Sequence, residues 1–159
     1  MIEYDKDELF QWHYGETKEE ADRIAAEILD GKRTAIIQNF ALDIPDLPSD
    51  EALRYYSNDK LQELLTEYRD MYPKPGDINI LTNWDGVPMC VIRTKGFGLM
   101  HFGDIPLEVA ELECGDTDLE EWQIRKSDEL LEVLPEEDVH SKTILSIEII
   151  EVLEKLYSH

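Results

Sequence analysis

Positive charge is scarce in this chain and it is clustered. Lys32-Arg33, Arg93-x-Lys95 and Arg125-Lys126 hold a large share of the 15 basic residues. Neighbouring ammonium and guanidinium groups can grip a carboxylate, a phosphate or the polar edge of a base. The competing reading is that they pair with the abundant carboxylates as ordinary surface charge. The other candidates for chemistry are weaker. His13, His101, His140 and His159 stand alone, none with a partner at metal-ligand spacing. Cys90 and Cys114 lie far apart without histidine neighbours, which points to reduced structural thiols. Asp43, Asp46 and Asp50 lack the glycine and terminal glutamate of a calcium loop and read as a solvated acidic stretch. Gly96-Phe97-Gly98 is too short for a phosphate cradle, and no Gly-x-Ser-x-Gly elbow, His-Glu-x-x-His or P-loop is present. No metal and no cofactor is expected.

Charge over the whole chain narrows the partners. With 37 acids against 15 bases the formal charge is −22. A field of that sign repels phosphate backbones at a distance and argues against tight nonspecific nucleic-acid binding, while local basic clusters leave an RNA contact open. No apolar run has the length of a membrane span, and Met1 to Glu8 is acidic where a signal peptide would be basic and then apolar. A soluble, cytoplasmic protein is expected. At 159 residues the chain suits one domain able to bury roughly two-thirds of its unfolded surface.

The elements that must position these groups follow from periodicity. Ala21, Ile24, Ala25, Ile28 and Leu29 form one apolar stripe, so Thr17 to Asp30 is expected to be a helix. Thr17 with Glu20 has capping-box spacing, and Gly31 supplies the left-handed residue that ends it. Thr34 to Ile37 is β-branched and reads as a strand, and Ala41 to Asp50 as a loop. A second helix carries Leu61, Leu64, Leu65, Tyr68 and Met71 on one face and stops before Pro73. Ile78 to Leu81 alternates, Asp85-Gly86 marks a hairpin, and Pro88 to Phe102 suits one or two strands, with Gly96 and Gly98 marking a bend or bulge. Thr117 with Glu120 again has capping-box spacing and opens a helix through Leu119, Trp122, Leu130 and Leu134. Thr143 to Leu153 is ambiguous: its isoleucines and valine favour a strand, its interleaved acids also fit a helix.

Three short segments, in this order, resemble the ASCH family, the activating-signal-cointegrator homology domains of the PUA-like superfamily. The first runs from Trp12-His13-Tyr14-Gly15 to Gly31-Lys32-Arg33-Thr34-Ala35. The second is Pro73-Lys74-Pro75-Gly76-Asp77 followed by Trp84 to Ile92. The third is Phe102, then Ala110-x-x-Glu113, then Leu119-x-x-Trp122. The resemblance implies an α+β fold, a PUA-like small mixed β-barrel of five or six strands flanked by helices, as a single domain over 1–159. The stretch at about 41–72 is longer than the family's usual connection and reads as an insert, either a lid, a partner surface or a neutral surface loop.

The same resemblance implies a cleft for an RNA base or a nucleoside-like small molecule, with Trp12, Lys32, Arg33, Trp84, Arg93 and Glu113 as binding residues. One branch of the family is similar to an amidohydrolase acting on N4-acetylcytidine, with a lysine nucleophile, an assisting threonine and a glutamate. Glu113 matches the glutamate, but Arg33 and Ile36 stand where the lysine and threonine are expected. Arginine stays protonated and cannot attack a carbonyl. An amidohydrolase or ribonuclease would therefore have to use Lys32, Thr34 and Glu113. Lys126 stands near where relatives often place a histidine after the tryptophan. The plain alternative is an Arg33-Glu113 ion pair that orders the mouth of the fold; another is an adapter that binds a protein partner through the acidic insert.

Overall fold

The computed structural model describes residues 4–39, 55–67, 73–114 and 118–157. Among them run β1 (Gln11–Trp12), α1 (Lys18–Leu29), β2 (Ala35–Asn39), α2 (Asn58–Glu67), β3 (Ile78–Thr82), β4 (Pro88–His101), α3 (Leu107–Cys114), α4 (Leu119–Leu131) and β5 (Ile144–Lys155). The sheet has the order β1-β3-β4-β5-β2, with β1 parallel to β3 and every other pair antiparallel. The loop expected at 41–50, the distal part of the second helix with Tyr68 and Met71, and Thr117 lie outside the described residues.

Local chemistry accounts for the elements. The Thr17 hydroxyl accepts the Glu20 amide at 3.2 Å and opens α1, and Gly31 follows its end at φ 77°. At α4 it is Asp118 whose carboxylate accepts the amides of Glu120 and Glu121 at 2.9 and 3.3 Å, one residue beyond the expected threonine. A carboxylate accepts two amides at once and sits well at the positive end of the helix. Pro88 to His101 forms one strand, not two, and its register shifts between Thr94 and Gly96, where a bulge lets the strand bend without ending.

The ambiguous tail is a strand, β5, inside the sheet between β4 and the edge strand β2. Both its faces are covered. Ile150 packs with Tyr14, Ile24, Ile28, Ile36, Leu81 and Ile92 under α1. Leu145, with Ile147 and Ile149 beside it, packs with Ala35, Ile37, Phe102, Ala110 and Trp122 under α3 and α4. Stiff β-branched residues suit such a strand, and the acids that suggested a helix find partners: Glu151 pairs with Arg93, and Glu154 takes bonds from Tyr4 and Lys6. A third cluster joins Leu61, Leu64 and Leu65 of α2 to Leu99 and Ile144.

No ladder joins β1 to β2 among the described residues, so the sheet is open between its two ends where a closed barrel was expected. The reason lies at β2. Its outer edge is met by side chains and by a helix carbonyl in place of another strand: Ile37 N–H donates to Glu113, Ile37 C=O accepts from Lys126, and Thr34 N–H donates to Leu112 C=O.

Candidate functional site

Glu113 is the hub of a densely bonded polar cluster among the described residues. It is 1% exposed. It lies one turn beyond Ala110, whose small side chain is buried against Trp122 and Phe102 and lets α3 approach the sheet. On α4, Trp122, Arg125, Lys126 and Glu129 recur at i, i+3, i+4 and i+7 and so share one stripe of the helix. That stripe is aimed at Glu113. The Oε1 atom accepts from Trp122 Nε1 and from Arg125 Nη2, each at 3.0 Å. The Oε2 atom accepts from Lys126 Nζ at 2.8 Å and Ile37 N–H at 3.2 Å, with Arg33 Nη1 3.7 Å away. A carboxylate has about four acceptor positions, and these bonds fill them.

Lys126 is equally committed. At 3% exposure, its ammonium donates to Glu113, to the Ile37 carbonyl and to Glu129 Oε2, each at 2.8 Å. An ammonium has three N–H bonds, so none is left over. Burial pushes the Glu129 carboxyl up, but the charge and hydrogen bond of Lys126, with Arg125 and Arg23 behind them, hold it below its ordinary value. Arg33 is buried between Glu113 and Glu27, whose Oε2 lies 3.2 Å from both Nε and Nη2.

Beside this cluster is a cavity of about 430 Å³ at the end of β2. Gln38 and Asn39 line it from the strand, Lys126 and Glu129 from α4, and Glu16 and Thr17 from the entry to α1. The elements that form it come from three separate stretches of chain.

The residues singled out in the sequence are distributed unevenly around this cavity. Arg33 and Glu113 meet as an ion pair, but neither lines the cavity: Glu113 reaches it through Lys126 and Ile37, which do. Lys32 is exposed, held by its backbone N–H to Glu27 C=O, while Arg33 is the member of the pair that turns inward. The Thr34 hydroxyl donates to Leu112 C=O at 3.3 Å. Arg93 is bonded across the strands to Glu151. Trp12 and Trp84 are both partly exposed, the Trp12 ring 6.0 Å from that of Tyr14 and the Trp84 ring 5.0 Å from that of His13. Neither ring, nor Lys32 nor Arg93, lines the cavity. Sequence reading noted Lys126 in a basic cluster without placing it in the cleft, and passed over Gln38, Asn39 and Glu129. The spacing of Trp122, Arg125, Lys126 and Glu129 was the available signal.

A second buried carboxyl, Glu148, lies on the α1 side of the sheet. It accepts from Tyr14 Oη and Thr94 Oγ1, both at 2.7 Å. Burial raises it above the ordinary carboxylate value against the pull of those two bonds, and Asp77 adds to the rise. Burial also pushes the Tyr14 hydroxyl well up, with Glu148 beside it. Cys90 is a buried free thiol, pushed up to about 11 by burial. No cluster of side chains with metal-binding composition occurs among the described residues, and no helix there is long and apolar enough to cross a membrane.

Comparison with known proteins matches this architecture. The structure superposes on the ASCH domain from Lactobacillus crispatus JV V101 with a TM-score of 0.62 and 19% identity, over 92% of this chain and 80% of that one. It superposes on protein EF3133 from Enterococcus faecalis V583 with a TM-score of 0.57 and 20% identity, over 95% and 84%. At such identities the likeness is one of fold. No match was found among curated proteins. The ASCH domain family model matches residues 60–152, which takes in α2 and the whole of β3 to α4. With more than half of its length matched by that model, this chain belongs to the ASCH domain family.

Proposed function

We propose that this protein is a binding module for a nucleoside or an unpaired RNA base, which it holds in the cavity at the end of β2. The observation that carries the reading is the cavity itself. Its volume of about 430 Å³ lies in the range of small-molecule sites. Gln38 and Asn39 line the cavity, and a side-chain amide of either type carries the paired donor and acceptor that match a base edge. Arg33 and Glu113 serve this site from behind, by fixing β2 and α4, and Ile37 adds apolar surface. The exposed rings of Trp12 and Trp84 suit the stacking of neighbouring bases if the ligand is part of a strand.

Hydrolysis of an N4-acetylcytidine-type amide, or of RNA, would need a free nucleophile and a free base. Glu113 has both oxygens engaged and Lys32 stands exposed, so these groups support holding a ligand better than attacking one.

Isothermal titration calorimetry with the common ribonucleosides and short unstructured RNA tests the proposal. Saturable binding is expected, weakened about tenfold by Gln38→Ala through the loss of roughly 1–2 kcal/mol of hydrogen bonding. Absence of heat with every ribonucleoside and RNA would sink it. Incubation with N4-acetylcytidine should leave that compound unchanged.

A further inference from the structure

Charge around the cavity is unequal, and the inequality bears on what can enter. Five carboxylates line it: Glu16, Glu19, Glu20, Glu129 and Glu132. Two cations oppose them, Lys126 and Arg23. Lys126 has all three N–H bonds directed at protein oxygens. Arg23 leans toward Glu27, with Nε 3.9 Å from Oε1. A phosphate entering here would meet no uncommitted ammonium, and the guanidinium in the lining, Arg23, stands against five carboxylates.

The N-terminus of α1, which ordinarily favours an anion, does not restore the balance. The Thr17 hydroxyl already accepts the Glu20 amide there, and Glu16, Glu19 and Glu20 surround the same turn. The whole chain, at −22, adds a repulsive field outside.

Resting on the nucleoside reading above, we infer that the cavity takes an unphosphorylated nucleoside whose base carries a positive charge, such as an N-methylated cytidine or adenosine, in preference to nucleotides or RNA strands. Glu129 is already paired with Lys126, so the negative charge offered to that base comes from Glu16, Glu19, Glu20 and Glu132 in the same lining. The Gln38 and Asn39 amides read the polar edge, and the carboxylates of the α1 turn supply the longer-range attraction.

Calorimetric titration of the full chain with 3-methylcytidine, cytidine and cytidine 5′-monophosphate, and with 1-methyladenosine, adenosine and adenosine 5′-monophosphate, separates the cases. In at least one series the methylated cation should bind about tenfold more tightly than the neutral nucleoside, and the monophosphate about tenfold more weakly, as expected for one charge acting at contact distance in a partly wetted site. The preference should shrink with added salt and in the double variant Glu16→Gln, Glu132→Gln, whose sites are exposed and leave the core untouched. Monophosphates that bind as tightly as the nucleosides, or cations that show no advantage in either series, would overturn the inference while leaving the nucleoside reading intact. Failure of all six compounds to bind would overturn both.

Discussion

Lys126 is buried, charged and bonded three ways, so its worth to the fold depends on what is left behind when it goes. Lys126→Met keeps most of the volume but strands the Ile37 carbonyl and removes the ammonium that balances the buried Glu113 carboxylate. Removal of one partner from a buried ion pair costs about 3–5 kcal/mol, and the urea midpoint of this variant is expected to fall accordingly. Glu148 behaves in the opposite sense. Its folded-state proton affinity is raised by burial, so the protonated form favours the native state. Its contribution is fully present below the ordinary carboxylate value and is lost as pH rises through the raised one. Urea denaturation at a series of pH values should show this loss as pH rises above the ordinary carboxylate range, and Glu148→Gln should remove that component. A slope of opposite sign would refute the assignment. Little of this was legible beforehand. Arg33 with Glu113 could be paired through a resemblance, but the convergence of Trp122, Arg125 and Lys126 on Glu113 depends on how α4 crosses α3, which no spacing within one helix encodes.

Among the elements, α1 was the most readable, because apolar period, cap and terminal glycine agree on one answer. The two glycines that bracket it differ in what surrounds them. Gly31 sits at φ 77° in open space, so Gly31→Ala should cost only the left-handed strain of roughly 1–2 kcal/mol. Gly15, at φ 92°, would carry a Cβ only 2.9 Å from the Ala21 backbone nitrogen. Gly15→Ala should therefore cost more, about 3 kcal/mol, because the first turn of α1 must also move. Thermal denaturation of the two variants side by side checks the order. The tail was undecidable locally because Glu148, Glu151 and Glu154 look like a solvated helix face until their partners Tyr14, Thr94, Arg93, Tyr4 and Lys6 are known. Among the described residues the sheet is not closed, for a related reason: what meets the outer edge of β2 comes from α3 and α4, distant in sequence.

Across the whole molecule the imbalance of 37 acids against 15 bases means that like charges outnumber the pairs available to neutralise them. Self-repulsion opposes compactness, so screening should help. Raising ionic strength from about 0.01 M to 0.15 M shortens the screening length from roughly 30 to 8 Å, and the melting temperature should rise by at least about 2 °C. A fall on added salt would mean that the exposed ion pairs outweigh the repulsion. The same scarcity of cations gives the commitment of Lys126 a further meaning. A terminal strand with unspent amides and carbonyls is a template on which another chain can polymerise. Here Ile37, midway along β2, has both groups occupied by Glu113 and Lys126, so an incoming strand would first have to break a buried ion pair. At that point the edge is guarded by two side chains whose charges are spent on each other and on the backbone.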